Sequence, residues 1–389
     1  MLDGVNVALG VSGSIAAVKV VELAHELRRQ GASVQGVMSP SATDIIHPWA
    51  VDFATDQPVV SEITGAVEHV ELCGREGWAD VLLLAPATAN TVGKIAAAVD
   101  DTPVTTCATT ALGAGLPVVA APAMHEPMYD HPGVIEALDR LEEWGIEFAA
   151  PRLAEGKAKI AAEEDIVTAV ARATTASPLT GSHVVVTAGA TAEAIDPIRV
   201  LTNRASGKTG RAVARACHVR GADVSLVHDG PSVEYADVIQ VETADSMIDA
   251  TVEASRTADA VVSAAAISDF TVDPAEEKLR SGSPIQLDLR PVPKLIGTVR
   301  EARPDLPIVG FKAETETTDS GLIEQARRVQ DRSDLAFVVA NDASVMGADE
   351  TRVLLVGQGD DTDADEVVGP KPTVAAAIAD RLTTVVSDS

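Results

Sequence analysis

The residues most able to do chemistry stand where short apolar runs give way to helical patterns. The turn Gly10-Val11-Ser12-Gly13-Ser14 follows the apolar run 5–9 and leads into a helix, so its amides and hydroxyls can hold an anion at a helix N-terminus. The turn lacks the G-x-G-x-x-G spacing, and the second strand ends at Ser39 rather than at a ribose-binding acid. The pattern favours a mononucleotide, and tight packing of strand on helix stays open as the other explanation.

Two longer motifs also stand at the ends of apolar runs. They are Ala85-Pro86-Ala87-Thr88-Ala89-Asn90-Thr91 and Pro122-Ala123-Met124-His125-Glu126-Pro127-Met128-Tyr129. Together with Glu68-His69-Val70-Glu71-Leu72 and Trp78-Ala79-Asp80, they resemble the flavin-binding cysteine decarboxylases, which include the phosphopantothenoylcysteine decarboxylases. The resemblance spans most of residues 4–150.

This resemblance implies a bound FMN that oxidises the substrate thiol to a thioaldehyde, so that the neighbouring carboxylate leaves as carbon dioxide. His69 matches the family's catalytic histidine, and a base poised near neutral pH suits proton removal beside a flavin. A structural histidine at a helix start is the alternative. The positions that match flavin contacts are Gly10, Ser12, Gly13, Ser14, Ser39, Thr88, Asn90, Thr105, Thr106 and Ala108.

The chain departs from the family at two places. In the Pro-x-Met-Asn motif, whose amide holds the substrate carboxylate, His125 follows Met124 where the family has Asn, and a histidine can still donate a hydrogen bond to a carboxylate. The mobile loop that carries a cysteine in many bacterial relatives corresponds here to PRLAEGKAKI, residues 151–160, which has no thiol. We expect Lys157 or Lys159 to supply the proton instead, the alternative being two solvated loop lysines.

The second half of the chain carries a different set of motifs. Ala188-Gly189-Ala190-Thr191 is followed by Asp196-Pro197-Ile198-Arg199 and by Thr202-Asn203-Arg204-Ala205-Ser206-Gly207-Lys208-Thr209-Gly210. A P-loop would need a glycine five positions before Gly207, where Thr202 stands. The run resembles the Ser-Gly-Lys-x-Gly motif of the phosphopantothenate–cysteine ligases, and the stretches 263–270, 277–279, 293–296, 310–315 and 340–342 agree with it.

This second resemblance implies that the carboxylate of phosphopantothenate attacks the α-phosphate of CTP and releases pyrophosphate, after which the amine of cysteine captures the acyl-cytidylate. Cations and a Mg²⁺ ion that enters with CTP are expected around the phosphoryl group. Asn203 is expected to hold the acyl-cytidylate and Lys278 to contact the triphosphate, unless Lys278 only pairs with Glu276 or Glu277 on the surface. Further positions that match substrate or nucleotide contacts are Met124 in the first half and Ser206, Gly207, Lys208, Ser263, Ala264, Ala265, Asp269, Pro293, Lys294, Leu295, Ile296, Phe311, Arg328 and Asn341 in the second.

The elements that must position these residues form a repeated β-α pattern. Val-, Ile- and Leu-rich runs alternate with amphipathic stretches, of which residues 15–30 are predicted to form one helix ended by Gly31. The polar stretch TTASPLTG, residues 174–181, breaks the pattern and suggests a boundary. We therefore predict the α/β class, with two doubly wound, Rossmann-like domains: an FMN-dependent decarboxylase domain over residues 1–177 and a ligase domain over residues 178–389. The acidic tract 360–366 is predicted to be an exposed loop.

Composition limits the partners. The chain of 389 residues has a net charge of −28, with 58 acidic residues spread along it against 30 basic ones, which disfavours nucleic acid and anionic membranes as partners and is typical of a halophilic-type surface. No apolar run approaches the roughly 18 residues that cross a bilayer, and the start of the chain lacks a signal-peptide pattern, so a cytoplasmic protein is expected. The spacing of the three cysteines indicates neither a disulfide framework nor a zinc site.

Three functions remain to be distinguished. The leading interpretation is a bifunctional enzyme that converts phosphopantothenate and cysteine to phosphopantetheine, and a homo-oligomer is expected by resemblance. The alternative is a ligase whose flavin-binding module is not catalytic, as His125 and the missing thiol suggest. An NADP-dependent reductase is disfavoured because neither glycine-rich turn has the dinucleotide spacing.

Overall fold

The computed structural model describes residues 1–280, 282, 284–314, 318–342, 350–357 and 364–387. The chain divides into a first unit, Met1–Ala176, and a second unit, Ser177–Ser389. Thr315 of the stretch 310–315 and residues 360–363 of the acidic tract lie outside the described residues. No helix within the described ranges has the length and apolar character needed to cross a membrane.

The first unit is built on a parallel sheet with helices around it. Its strands are β1 (Asn6–Val11), β2 (Ser33–Met38), β3 (Val81–Ala87), β4 (Val118–Pro122), β5 (Met124–His125), β6 (Ile146–Phe148), β7 (Arg152–Ala154) and β8 (Lys157–Lys159). Its helices are α1 (Val20–Arg29), α2 (Pro40–Thr43), α3 (Pro48–Thr55), α4 (Glu68–Cys73), α5 (Ala89–Ala96), α6 (Pro103–Ala114), α7 (Glu126–Tyr129), α8 (Pro132–Glu143) and α9 (Glu163–Thr174). The main sheet has the order β2-β1-β3-β4-β6, with every pair parallel.

Burial explains the apolar runs and one departure from the expected helix. All seven residues of β3 are buried, as is usual for a strand covered on both faces. The stretch predicted as one helix over residues 15–30 begins instead as a 3₁₀ helix, Ile15–Lys19, capped by the Ser14 hydroxyl, and continues as α1. A 3₁₀ turn of this kind is common at the start of an α-helix. Leu23, Ala24 and Leu27 line the buried face of α1, as the spacing predicts.

The segment predicted as a loop over residues 151–160 is a β-hairpin. Strands β7 and β8 pair antiparallel around a turn in which both Glu155 and Gly156 have positive φ, the backbone conformation that two-residue hairpin turns need. Strand β5 pairs with β8 on its other side, so the hairpin is attached to the motif that contains His125.

The second unit has a larger sheet. Its strands are β9 (His183–Thr187), β10 (Ala192–Ala194), β11 (Val200–Thr202), β12 (Asp223–His228), β13 (Asp237–Gln240), β14 (Ala260–Ser263), β15 (Phe270–Val272), β16 (Leu289–Pro291), β17 (Ile308–Glu314), β18 (Phe337–Asp342), β19 (Glu350–Gly357) and β20 (Asp365–Pro370). Its helices are α10 (Lys208–Val219), α11 (Ala244–Ala254), α12 (Leu295–Ala302), α13 (Asp319–Ser333) and α14 (Lys371–Ser387), with a short 3₁₀ helix at Ser255–Thr257. The small pairs β10–β11 and β15–β16 are antiparallel hairpins outside the main sheet.

The main sheet of the second unit is parallel except at one edge. Its order is β13-β12-β9-β14-β17-β18-β19-β20, and only the last two pairings are antiparallel. The prediction of an exposed loop over residues 360–366 is wrong at its end, because Asp365 and Glu366 begin β20. The Asp365 carboxylate pairs with Arg381, and the Glu366 carboxylate pairs with Arg352. These ion pairs stabilise a strand in an acidic sequence whose intrinsic β-strand propensity is low.

Candidate functional site

In the first unit the loops that follow β1 and β3 meet. The parallel strand order reverses between these strands, and this is where an open α/β sheet has its crevice. The Ser12 hydroxyl donates to the Pro86 carbonyl and accepts a hydrogen bond from the Thr88 amide, 3.2 Å away. A Cβ at Gly13 would lie 2.5 Å from the Cβ of Ser41, so only glycine fits between the β1 and β2 loops. The loops that follow β1, β2 and β3 are therefore closely packed at this turn, where Ser12, Ser41 and Thr88 have small, polar side chains.

The predicted flavin contacts fall into two groups. Ser12, Gly13, Ser14, Ser39 and Thr88 lie on the loops at the crevice, and Asn90 is exposed on the first turn of α5. Thr105 forms a capping box with Thr102 at the start of α6, and Thr106 donates to the Thr102 carbonyl at 2.9 Å. The Ala108 side chain is fully buried in the core between α6 and the sheet, and Gly10 is buried against Leu84. In this structure the hydroxyls of the α6 group therefore stabilise the helix start.

His69 lies on the first turn of α4, which follows a loop held by Glu68. The Glu68 carboxylate accepts from both the backbone N–H and the hydroxyl of Thr64, and these bonds lower the pKa of Glu68. The Nδ1 atom of His69 is buried and has no hydrogen-bond partner among the described residues. Because a buried, unpaired ring nitrogen costs free energy, a polar ligand atom at this position would be stabilising.

Strand pairing places Lys157 next to His125. These two residues are Cα partners in the antiparallel pairing of β5 with β8, so their side chains leave the same face of the small sheet. The Glu126 amide also bonds the Gly156 carbonyl at 3.1 Å. Lys159, the other predicted lysine, is held by Glu155 at 2.8 Å, whereas Lys157 forms no ion pair within the described part of the chain. The hairpin register thus distinguishes two lysines that the sequence alone left equivalent: Lys157 faces His125, and Lys159 is paired with Glu155.

The cysteines are core residues. All three are free and buried. The pKa of the Cys107 thiol is raised by its hydrogen bond with Cys73 and by burial, and burial raises the pKa of Cys217 to about 12. The thiols of Cys107 and Cys217 therefore stay protonated at neutral pH and are poor nucleophiles.

In the second unit the corresponding crevice lies between β9 and β14. The hydroxyl of Thr187 accepts from the Ala265 amide at 3.2 Å, and the Thr191 hydroxyl accepts from the Ser268 amide at 2.9 Å. The Asn203 side chain donates to the Ala266 carbonyl at 2.9 Å. Sequence analysis missed the two threonine hydroxyls, which hold the segment that follows Ser263 and Ala264 against the end of β9, while Asn203 is attached to the same segment by its own side chain.

The glycines of the second crevice bring α10 against the end of β9. Gly207 has a φ of +69°, and a Cβ there would lie 2.9 Å from the backbone nitrogen of Gly189. A Cβ at Gly210 would lie 2.6 Å from that of Ala188. The motif glycines are therefore required by close packing, and they place Ser206 and Lys208 at the start of α10 beside the Gly189 turn.

Lys278 lies on an exposed segment that a buried carboxylate holds in place. Asp196, whose side chain has no exposed surface, accepts from the amides of Ile198 and Arg199, each at 2.8 Å, and from the Leu279 amide at 3.1 Å. Burial alone would raise the pKa of Asp196, but the three amides and the Arg199 guanidinium outweigh it and lower the pKa to about 2. The motif around Asp196 was visible in the sequence, but its connection to Lys278 was not.

The remaining predicted residues are distributed over the second unit. Asp269 and Lys294 form an ion pair with each other, and Pro293 is exposed beside them. Leu295 is buried on α12, Ile296 packs near Gly310, and Phe311 and Asn341 lie on β17 and β18. Arg328 lies on α13, where it pairs with Glu324 at 2.5 Å. No cluster of three or more His, Cys, Asp or Glu side chains within the described ranges is placed to hold a metal ion.

Comparisons with known proteins assign both units. The flavoprotein family matches residues 1–175, and the DNA/pantothenate metabolism flavoprotein C-terminal domain matches residues 179–385. The chain is 50% identical over 363 residues to a coenzyme A biosynthesis bifunctional protein CoaBC from Thermococcus kodakarensis, covering 92% of this chain and 90% of that one. The protein of the same name from Bacillus subtilis is 34% identical over 369 residues, covering 90% of this chain and 88% of its own.

Solved structures with similarity to each unit are known. A crystal structure of the C-terminal domain of a coenzyme A biosynthesis bifunctional protein is 26% identical, with a TM-score of 0.45, and covers 55% of this chain and 100% of that one. The FMN-dependent cysteine decarboxylase SpaF is 29% identical, with a TM-score of 0.39, and covers 44% of this chain and 99% of that one.

Fold and sites together define an α/β protein with a flavoprotein unit followed by a second, ligase-type unit. The chain belongs to the family of coenzyme A biosynthesis bifunctional proteins, which join a phosphopantothenoylcysteine decarboxylase to a phosphopantothenate–cysteine ligase. The predicted fold class, family and bifunctional role are confirmed.

Proposed function

We propose that residues 1–177 decarboxylate phosphopantothenoylcysteine with FMN and that residues 178–389 form this compound from phosphopantothenate, cysteine and CTP. The observation that carries the proposal is that motif loops meet where the parallel strand order reverses in each unit, through the Ser12–Thr88 hydrogen bond in the first and the Thr187–Ala265 hydrogen bond in the second. The product of the second unit is the substrate of the first, so one chain can perform two consecutive steps. Cytoplasmic location and homo-oligomerisation stay predictions.

The residues of the first crevice fit a flavin. The Gly13 turn excludes side chains beside Ser12, and the N-terminal amides of the helical stretch 15–29 favour a phosphate there. When bound, FMN would supply the two-electron acceptor for the substrate thiol and would give those electrons back to the decarboxylated product. His69 takes the proton released in the thiol oxidation, a role supported by its match to the family's catalytic histidine and by its Nδ1 atom, which is buried with no hydrogen-bond partner among the described residues.

The β5–β8 pairing supports the roles that we propose for the remaining residues in decarboxylation. Met124 and His125 hold the substrate, with the His125 ring donating to the carboxylate that is lost. Lys157 stands opposite His125 and carries three N–H donors, so it supplies the proton that the decarboxylated carbon needs. A lysine on the hairpin thus serves where many relatives use a cysteine.

In the second unit the nucleotide is activated by cations and backbone amides. Lys278 binds the triphosphate, and Asn203 holds the acyl-cytidylate through the amide face not engaged by the Ala266 carbonyl. Lys208 and the amides at the start of α10 bind the phosphate of phosphopantothenate or of the nucleotide. Mg²⁺ enters with CTP, because this ion is commonly bound by substrate phosphates and water with few protein ligands.

A second function is favoured by two departures from the family motifs. His125 replaces an amide of the family motif, and the hairpin carries no cysteine. Both changes fit a chain in which only the ligase is active and the flavin unit is a binding module. His69 is retained, and its Nδ1 atom has no hydrogen-bond partner in the part of the chain that the structure describes, which fits the bifunctional enzyme instead.

One set of measurements on the purified full-length chain tests the proposal. The protein should show an oxidised-flavin spectrum, form pyrophosphate only with CTP, phosphopantothenate and cysteine all present, and release carbon dioxide from phosphopantothenoylcysteine. Lys278→Ala should abolish pyrophosphate formation while the flavin stays bound, and His69→Ala should abolish carbon dioxide release. Colourless protein with no uptake of FMN refutes the first half, and full activity in either variant refutes that residue's role. Pyrophosphate formation without carbon dioxide release supports the ligase-only function.

A further inference from the structure

The turn between β10 and β11 contains a buried carboxylate that the reaction chemistry does not use. The Asp196 side chain has no exposed surface, whereas its ion-pair partner Arg199 is 43% exposed. A buried ionised group is costly unless it is fully hydrogen-bonded. Asp196 meets this requirement with three backbone N–H donors and the guanidinium.

Two of these donors belong to the turn itself, but the third does not. The amides of Ile198 and Arg199 close the turn locally, as an aspartate commonly does. The Leu279 amide is 83 residues further along the chain. A carboxylate that served only its own turn would not need to reach this distant amide.

The peptide groups next to Lys278 are held on both sides. Asp196 accepts from the Leu279 N–H, and the Arg199 guanidinium donates to the Leu279 carbonyl at 3.1 Å. Ala275 adds a third bond, since its amide donates to the Ile195 carbonyl at 2.9 Å. The exposed segment 275–280 is thereby attached to the β10–β11 turn at two places, and Lys278 lies between them.

The same hairpin leads directly to Asn203. Strand β11 ends at Thr202, whose hydroxyl donates to the Thr191 carbonyl at 2.8 Å, and Asn203 is the next residue. One hairpin thus connects the segment of Lys278 at its turn with the position of Asn203 at its other end. Positioning of this kind affects reaction rates, because small displacements of a binding group can be costly.

We infer that Asp196 is a positioning residue that holds Lys278 at the triphosphate by binding the Leu279 amide. This inference rests on the proposed role of Lys278 in CTP binding. Replacement by Asn keeps the shape but removes the charge, and it leaves an amide in place of one acceptor oxygen opposite Leu279 N–H or Arg199. The segment of Lys278 then loses its attachment, and CTP is bound less tightly.

The test is a double-mutant cycle on CTP affinity, measured by calorimetry with Mg²⁺ and the flavin-loaded full chain, which needs no turnover. We expect Asp196→Asn and Lys278→Ala each to raise the Kd of CTP by about 10- to 100-fold, the usual value of a hydrogen bond to a charged group. In the double variant Asp196→Asn should add less than about twofold to the effect of Lys278→Ala. A residue that only stabilises the fold would give effects that multiply.

Two further variants keep the result interpretable. Asp273→Asn removes an exposed carboxylate that pairs with Arg290 at the end of β15, and it should change the Kd by less than about twofold. Arg199→Lys removes the guanidinium bond to the Leu279 carbonyl but keeps the backbone hydrogen bonds of the Asp196 turn. It replaces Asp196→Asn in the cycle if that variant does not fold. It should weaken CTP binding in the wild type but not in Lys278→Ala.

The outcomes separate the two proposals. Multiplying effects, or a normal Kd in Asp196→Asn, overturn the positioning role while the proposed function stands. A normal Kd in Lys278→Ala overturns the role of Lys278 in CTP binding and the positioning role with it. Unchanged carbon dioxide release in all variants shows that the first unit is intact.

Discussion

Gly210 offers the most direct test of how the second crevice is built. It lies on α10, and a Cβ there would be 2.6 Å from the Ala188 Cβ and 3.0 Å from both the Ala188 Cα and the Thr187 carbonyl oxygen. Reaching an ordinary contact of 3.4 Å requires the helix to retreat by roughly 0.8 Å. Two of these three neighbours are backbone atoms, which cannot rotate away.

The cost of Gly210→Ala can be separated from the helix preference for alanine. Overpacking of this kind costs about 1–3 kcal/mol, while alanine in place of a helical glycine gains about 1 kcal/mol. Gly297 on α12 is the matched control, because a Cβ there meets nothing within 4 Å. The helix gain is common to both variants, so Gly210→Ala should be less stable than Gly297→Ala by about 1–3 kcal/mol.

The assay is urea unfolding followed by far-UV circular dichroism, with hydrogen exchange of α10 and α12 peptides to assign the transition to the second unit. Pyrophosphate formation should fall by up to about 100-fold in Gly210→Ala alone, because the shift carries Ser206 and Lys208 away from the Gly189 turn. Equal stability and activity of the two alanine variants would refute the reasoning that this glycine is required by packing.

Three further predictions follow from other contacts. Gly13→Ala should weaken FMN binding by about 5- to 150-fold, because the new Cβ would collide with Ser41. Gly93→Ala is the control and should bind FMN normally, because a Cβ at Gly93 meets nothing within 4 Å. Flavin fluorescence titration measures both affinities, and equal affinities would contradict the requirement for glycine at position 13. Lys157→Ala should slow phosphopantetheine formation by about 100-fold or more, because Lys157 is the pairing partner of His125. Lys159→Ala should keep a rate near that of the wild type, because Lys159 forms an ion pair with Glu155. Mass spectrometry of the product measures both rates, and a larger loss in Lys159→Ala than in Lys157→Ala would contradict the proposed role of Lys157. The pKa of Asp196 in the folded protein is about 2, below its ordinary value of 3.8, so the ionised carboxylate stabilises the fold above pH 3.8 and this stabilisation is lost as the pH falls through about 2. The urea midpoint should therefore fall more steeply between pH 4 and pH 2 in the wild type than in Asp196→Asn. Equal slopes of midpoint against pH in the two proteins would contradict this.

Much of the fold was accessible from local patterns. The apolar runs that follow turn residues correspond to the parallel strands of both sheets, because a strand covered on both faces must be apolar throughout. The motif loops at strand ends likewise predicted where ligands approach, since the carboxyl ends of parallel strands share one edge. The apolar run 353–356 lies within β19, but its antiparallel pairing was not predicted. Strand β20 was missed, because acidic residues carry no strand signal until Arg352 and Arg381 neutralise them.

The sequence by itself determined the family, the two-part α/β architecture and the motif residues of each crevice. Tertiary structure decided which of these side chains meet: that Lys157 and not Lys159 faces His125, that Asp269 pairs with Lys294, and that Asp196 binds the peptide group beside Lys278. The reason is that strands and helices follow from near neighbours and burial, which a sequence records directly. Strand register and hydrogen bonds between residues 83 apart exist only once the chain has folded.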